Sequence, residues 1–440
     1  MNRFILILLI IVSACQSEDN ADLANENTYI RYFGSQYSHQ PQQVIETSDG
    51  YLLLNNIQIG TDNQSVFFYK IKLIKTDFYG NLQWEEVYPK FPAENELEQP
   101  GANVYSLRGF MIIQQGDNYA IVGEELINQN ISSTGSTSLA NLALLLVNKD
   151  GAPIKDGVVL SEGDERMFTP HTSVSGTDLA AETGNVELED ISITGRGIAL
   201  NANGNFIVLS SVNNYGTNKM MVTEISTTDL TRIWQRFYGD GIGVVARKIF
   251  VNNQEKLVWG GSTESEMRLF TYNQNDQQAI SVKPDQPNTT TETASDACEV
   301  KGGFSGYALI GTSSTGTDND MYVVKFSPTE TAPIFSKNLD FATGNDEGKA
   351  IEGTSDGGLI LLGNGASVNT TGNGGTDLFI ARLNTIGEEI WTKNYGGSQD
   401  EEGACVIQTK DGGYLVLGSS EFGIDFRKVM LLKLDANGDL

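Results

Sequence analysis

The sequence predicts an all-β chain: a seven-bladed β-propeller of four-stranded antiparallel blades, its ring closed by an N-terminal strand that completes the last blade. Three observations predict it. Short apolar runs alternate with Gly, Asn, Asp and Ser clusters, glycine reaches 47 of 440 residues, and no long stretch has helical periodicity. A block reading EGKAIEGTSDGGLILLGNG from Glu347 returns as EGACVIQTKDGGYLVLGSS from Glu402. The last unit then stops at KLDANGDL, before a fourth strand, while TYIRYFG (Thr28–Gly34) stands near the start without a unit of its own.

The first segment lies ahead of the repeats. MNRFILILLIIVSAC carries Arg3, an apolar core from Phe4 to Val12, and then Ser13-Ala14-Cys15. That core is shorter than the roughly 20 residues of a spanning helix and has the layout of a secretory signal. Val12-Ser13-Ala14-Cys15 resembles the bacterial lipobox, which implies cleavage after residue 14 and lipidation (palmitate among the acyl chains) at Cys15. Residues 15–27 read as a lipidated, polar tether and 28–440 as a single propeller domain. The acidic pair Glu18-Asp19 resembles the export signal of surface lipoproteins in Bacteroidota-type bacteria. Outer-membrane anchoring with surface display is therefore expected, and a periplasm-facing anchor is the alternative.

Within each unit, strand A ends near Asp-Gly-Gly, a tight hairpin signal. Strand B follows and often ends in Gly, a looser loop leads to strand C, and a short turn leads to strand D with its Trp or Tyr. Strand B recurs at Tyr51–Leu54, Tyr119–Val122, Phe206–Leu209, Leu257–Trp259, Tyr307–Ile310, Leu359–Leu362 and Tyr414–Leu417. Units with variable spacing but a repeating core fit radial repetition, and a solenoid would need capping repeats that are not apparent. The orphan strand Thr28–Gly34, set before a first strand A at Gln43–Thr47, matches Ile233–Gly239 and Trp391–Gly396, so it is expected to fill the open seat of blade 7.

Up-and-down order puts the short A–B and C–D turns on one face. The long segments 126–140 and 364–377 (B–C) and 90–108, 161–195 and 284–296 (D–A) fall on the other. That elaborated face is the expected binding surface, because loops on a rigid scaffold carry recognition. Small residues of strand A (Gly197, Ala199, Ala246, Ala297, Ala350, Gly403, Ala404) are expected to pack at the hub.

No catalytic, cofactor-binding or metal-ligating residue is expected. Cys298 and Cys405 are read at equivalent strand A positions two blades apart, too far for a disulfide, and so as free buried thiols. His39 and His171 are placed in loop or strand-edge positions and form no metal site or triad. Acidic clusters (Glu94, Glu96, Glu98; Glu162, Asp164, Glu165; Glu187, Glu189, Asp190; Asp400, Glu401, Glu402) could hold Ca²⁺. Asp435-x-Asn437-x-Asp439 has the start of an EF-hand loop but aligns with the C–D hairpin Asn384–Glu388. A formal charge of −27 disfavours nucleic acid.

Asp77-Phe78-Tyr79-Gly80-Asn81-Leu82-Gln83-Trp84 is distantly similar to the repeat of quinoprotein-like propellers. Blades 2, 4, 5 and 7 lack its Trp, so the Trp and Tyr residues are read as inter-blade packing. The DGGY/DGGL blocks resemble the Gly-rich propeller-repeat lipoproteins of Bacteroidota type, most specifically in blades 6 and 7. The resemblance implies a fold and an address. The expected function is a non-catalytic binding protein or scaffold for a protein or glycan on the long-loop face, acting as a monomer or within an envelope complex. A glycan-active or quinoprotein-like enzyme and a structural part of an envelope assembly are the alternatives.

Overall fold

Every regular element among the described residues of the computed structural model is a β-strand. The structure describes residues 28–440 apart from 35–36, 61–66, 90–105, 128–138, 155–190, 215–216, 239–243, 252–256, 264–265, 274–277, 283–290, 303–304, 317, 328–332, 342–343, 367–374 and 424–425. The signal-like segment, Cys15 and the tether therefore lie outside the described residues, as do His171 and the acidic clusters of 94–98, 162–165 and 187–190.

The first strand is β1 (Tyr29–Phe33). Blade 1 is β2 (Ser38–Glu46), β3 (Tyr51–Gly60), β4 (Phe67–Thr76) and β5 (Leu82–Tyr88). Blade 2 is β6 (Ser106–Gln115), β7 (Asn118–Ile127) and β8 (Leu139–Asn148). Blade 3 is β9 (Ile191–Leu200), β10 (Phe206–Asn214), β11 (Thr217–Ile225) and β12 (Arg232–Tyr238). Blade 4 is β13 (Val244–Val251), β14 (Leu257–Thr263), β15 (Met267–Asn273) and β16 (Gln278–Val282). Blade 5 is β17 (Thr291–Val300), β18 (Gly306–Ser314), β19 (Asn319–Phe326) and β20 (Pro333–Leu339). Blade 6 is β21 (Asp346–Gly353), β22 (Leu359–Ala366), β23 (Thr376–Leu383) and β24 (Glu389–Tyr395). Blade 7 is β25 (Glu401–Gln408), β26 (Tyr414–Glu421) and β27 (Arg427–Leu434).

Six sheets have four antiparallel strands, and blade 2 has three among the described residues. A lone bridge, Val147 to Pro153, follows its third strand, and the fourth is expected in 155–190, outside the described residues. Blade 7 runs β25-β26-β27-β1, with Tyr29 opposite Lys433 and Phe33 opposite Val429. The expected closure is present, made by the strand from the other end of the chain.

The core is divided among the junctions. Seven buried apolar clusters lie one to each pair of neighbouring blades. The closing junction holds Tyr29, Val44, Tyr51, Leu53, Cys405, Leu415 and Leu431. Middle strands are covered on both faces, which explains continuous runs such as Leu359–Leu362 in place of alternation. The outer strand β24 is largely exposed or half-buried, which suits its mix of Glu, Lys and Asn.

Each inner strand carries a β-bulge at the same level. Registers slip across Gln42, Phe110, Arg196, Arg247, Ser295, Lys349 and Ala404 in blades 1 to 7. A bulge bends a strand and sharpens its twist, as crowding at a hub demands. The small hub residues fall in several rows relative to it. The row just before the bulge is Pro41, Gly109, Gly195, Ala246, Ala294, Gly348 and Gly403. A Cβ on Gly195 would stand 2.5 Å from Val122 of the preceding blade.

The bulge also corrects the cysteine alignment. Cys405 directly follows its bulge and is equivalent to Asp296 and Ala350, whereas Cys298 lies two residues further along, level with Ile407. Both thiols are free and buried, as expected. The row after the bulge ties blade to blade. Gln43 Oε1 accepts from Ile112 N at 2.7 Å, Met111 Sδ from Ile198 N at 3.4 Å and Asp296 Oδ2 from Ile351 N at 3.1 Å. Cys405 accepts from Val44 N in the same way across the closing junction.

Several expected boundaries move. β2 starts at Ser38, so His39 is a buried strand residue and not a loop residue. The segment 284–296 is strand from Thr291 onward, and 90–108 is strand from Ser106. The segments 126–140, 161–195 and 364–377 likewise lose their ends to strands; 128–138, 155–190 and 367–374 lie outside the described residues. Asp435-x-Asn437-x-Asp439 is a C–D turn: Asp435 Oδ1 accepts from Asn437 N and Asp439 N, both at 2.8 Å. Asn384 does the same in blade 6.

The Asp-Gly turns have a partner absent from the sequence reading. In strand C of the same blade a buried cation reaches back to the turn aspartate: Lys75 to Asp49 at 2.8 Å, Arg382 to Asp356 at 2.5 Å, Lys433 to Asp411 at 2.9 Å. Blade 3 inverts the charge, with Asn201 and Asn205 Nδ2 each donating to Glu224 at 2.8 Å.

Candidate functional site

The bulge residues form one row around the axis, and in blades 2 to 4 this row reads Phe110, Arg196, Arg247. The Arg196 guanidinium lies over the Phe110 ring, 4.3 Å from its centroid. Arg108, two residues earlier on β6, lies 4.8 Å from the Tyr69 ring and 5.7 Å from Phe110. Cations are drawn to ring faces, so two aromatic side chains hold two guanidinium groups in one sector. Arg108 also pairs with Glu124 of β7, whose Oε2 accepts from Thr194 Oγ1 at 2.6 Å. Arg247 Nε donates to Ala294 O of blade 5 at 2.7 Å.

Arg108 and Arg196 thus share one carboxylate, Glu124. Burial lowers the Arg196 guanidinium to about 10; Glu124 opposes that shift, and Arg247 and Arg108 add to it. Burial also lowers Arg247, with Asp296 opposing. The Nε atoms of Arg108 and Arg196 are buried without a hydrogen-bond partner. A buried donor left unpaired is costly, and more so on a charged group. Arg108 stands near the start of β6, the end of the inner strand that the D–A connection enters.

Beyond the bulge the axial row is closed by charge. Lys248 Nζ lies 3.3 Å from Asp296 Oδ1. Burial disfavours its ammonium, but Asp296 and Glu352 outweigh this and raise its pKa. Burial raises Glu352 and both thiols, Cys405 to about 12, so neither cysteine is a nucleophile at neutral pH.

Among the expected features, Asp400, Glu401 and Glu402 do not converge. Asp400 Oδ1 accepts from Thr376 N, Glu401 Oε2 from Gly397 N, and Glu402 faces Lys349 and Arg427. Among the described residues no three His, Cys, Asp or Glu side chains stand close enough to share a metal. His39 Nδ1 accepts from Asn55 Nδ2 at 2.8 Å, and burial, then Lys72, lower it to about 4. Trp391 packs edge-on to Tyr414 across the junction of blades 6 and 7, at 5.6 Å, as expected for packing aromatics. The arginine sector went unread in the sequence. Its signal is an arginine in two successive blades at a row that holds Gln42, Ser295, Lys349 and Ala404 in blades 1, 5, 6 and 7, and that row exists only once the bulges align the strands.

No family model and no curated protein matches the chain. Among solved structures it is similar to the NanB sialidase of Streptococcus pneumoniae, at 11% identity and a TM-score of 0.43 over 95% of this chain and 70% of that one. It is similar to the polysaccharide lyase Uly1, at 9% identity and 0.49 over 92% and 91%. It is similar also to the β-propeller domain of the Trilobed protease from Pyrococcus furiosus, at 10% identity and 0.41 over 94% and 99%.

Proposed function

We propose that this chain is a lipid-anchored binding propeller of the bacterial outer membrane whose arginine sector captures an acidic glycan. The observation that carries the reading is the gathering of Arg108, Arg196 and Arg247 around Phe110 and Tyr69, with two Nε donors buried and unpaired, in a chain of formal charge −27. A carboxylate or sulfate entering the sector gains charge-assisted hydrogen bonds and relieves the repulsion among the guanidinium groups. The acidic remainder of the molecule repels long polyanions, so a short acidic segment presented at the axis is the better fit. Aromatic faces beside the guanidinium groups suit sugar rings, and Cys15 would tether the propeller at the surface where such chains are met.

Calorimetry against uronic-acid oligosaccharides and neutral oligosaccharides of equal length tests the reading. The acidic series should bind, more weakly at higher salt. Arg196→Met should cost about 10- to 100-fold, the range of one lost charged hydrogen bond. Lys301→Ala, at an exposed site, should change nothing. Equal binding of both series, or an unchanged Arg196→Met, would overturn the proposal. Release of shortened products would make the same sector an enzyme site.

A further inference from the structure

Strand direction fixes the side from which the chain enters the ring. β1 runs antiparallel to β27, and its first residue, Tyr29, stands opposite Lys433 at the C–D turn end of β27. The chain therefore enters β1 from the face of the short turns, at blade 7. A Cβ on Gly80, in the C–D turn of blade 1, would stand 2.6 Å from the Tyr29 ring, so that turn abuts the point of entry. On the other flank, a Cβ on Gly438 of the blade 7 turn would stand 2.7 Å from Trp391 of blade 6.

The two flanking blades have apolar turn tips. Blade 1 presents Phe78 and Tyr79, with Leu82 just behind, and blade 6 presents Ile386, with Ile390 just behind; all five are exposed. The same turn carries Lys149 and Asp150 in blade 2, Thr228 and Asp229 in blade 3 and Asn437 in blade 7. Toward the elaborated face, the exposed large apolar side chains among the described residues are Tyr32 and Phe422, which pack on each other with ring centroids 5.2 Å apart. Side chains hold the apolar tips in place: Asp77 Oδ1 accepts from Tyr79 N at 2.9 Å, and Asn384 Oδ1 from Ile386 N at 3.1 Å. Docking through them therefore costs little further ordering.

We propose that this rim, from blade 6 across blade 7 to blade 1, docks on the lipid surface that holds Cys15, with its tips at the boundary of headgroups and acyl chains. The inference rests on the lipid-anchor part of the proposed function and is independent of the glycan part. Residues 16–28 separate Cys15 from β1 and span at most about 45 Å when extended. A link of that length keeps the rim at an effective concentration of about a millimolar at the bilayer, so weak interfacial contacts suffice. Tyrosine suits that boundary, with its ring among apolar groups and its hydroxyl in water. Phe78, Leu82, Ile386 and Ile390 gain by leaving water. Asp77, Glu388 and Glu389 flank the tips in sequence, and a zwitterionic lipid surface repels this charge less than an anionic one. The elaborated face is then turned away from the bilayer and open to ligands.

Site-specific fluorophores test it. Cys298 and Cys405 are buried, so a cysteine placed at the surface can be labelled alone with an environment-sensitive probe. The mature chain, with hexahistidine in place of Cys15, is held on phosphatidylcholine vesicles by a nickel-chelating lipid, so tethering does not depend on native lipidation. Probes at Tyr79→Cys and at Ile386→Cys should shift their emission to the blue, and a probe at Tyr32→Cys should stay as in water. Tyr79→Asp should reduce the shift at Ile386→Cys and leave the melting temperature unchanged, because residue 79 is exposed. No shift at either tip, or a shift at Tyr32→Cys alone, would overturn the proposal. So would a shift that appears without vesicles and grows with protein concentration, which would assign the rim to a second copy of this chain. Native protein found by mass spectrometry to lack acyl chains at Cys15 would overturn the anchor, while the probes judge the rim.

Discussion

Individual side chains decide how neighbouring blades lock. Gln43, Met111, Asp296 and Cys405 differ in chemistry, yet each accepts the same backbone amide of the next blade. What the row requires is an acceptor of the right reach. His39 shows a different residue-scale device. It is buried and neutral, with Asn55 donating to it. Unfolded histidine takes up a proton near pH 6.5, whereas folded His39 resists until about 4. Between those values the unfolded state binds more protons, so stability falls as pH falls. The full window is worth about 3 kcal/mol. Urea titrations from pH 7 to pH 4 should show His39→Gln losing less stability than wild type over that interval; equal losses would assign the acid sensitivity elsewhere.

The same logic at the scale of elements explains why the strands end where they do. An Asp-Gly turn is kept in shape by a cation buried in strand C, so Lys75, Arg382 and Lys433 are part of the hairpin although they lie far from it in sequence. Asp-Gly-Gly was legible as a turn, but the distant lysine was not, because nothing local marks which strand C lysine turns inward. β1 was legible because TYIRYFG repeats the strand D pattern. Its weight lies in Tyr29, which is buried in the closing cluster and against which Gly80, at φ 74°, turns without a side chain. Tyr29→Ala should cost about 3 kcal/mol in equilibrium unfolding, the usual size for a buried aromatic. Deleting residues 28–34 should cost more by exposing β27. An unchanged midpoint in the deletion would mean that β1 does not hold the ring.

For the whole molecule, three guanidinium groups come from inner strands of three successive blades, Arg108 from blade 2, Arg196 from blade 3 and Arg247 from blade 4. On the proposed reading, Cys15 places the molecule at the membrane. Replacing it with alanine should move the protein from the membrane fraction to the soluble fraction in fractionated cells. Retention in the membrane would argue against a lipid anchor.

The sequence by itself determined the all-β class, the seven units, the direction of closure and the free state of Cys298 and Cys405. These follow from local patterning, turn chemistry and repetition, which are properties of neighbours along the chain. Only the tertiary structure decided that His39 is buried, that Cys405 aligns with Asp296, and that three arginines meet. Each depends on register across strands, and a single bulge residue shifts every side chain beyond it to the other face.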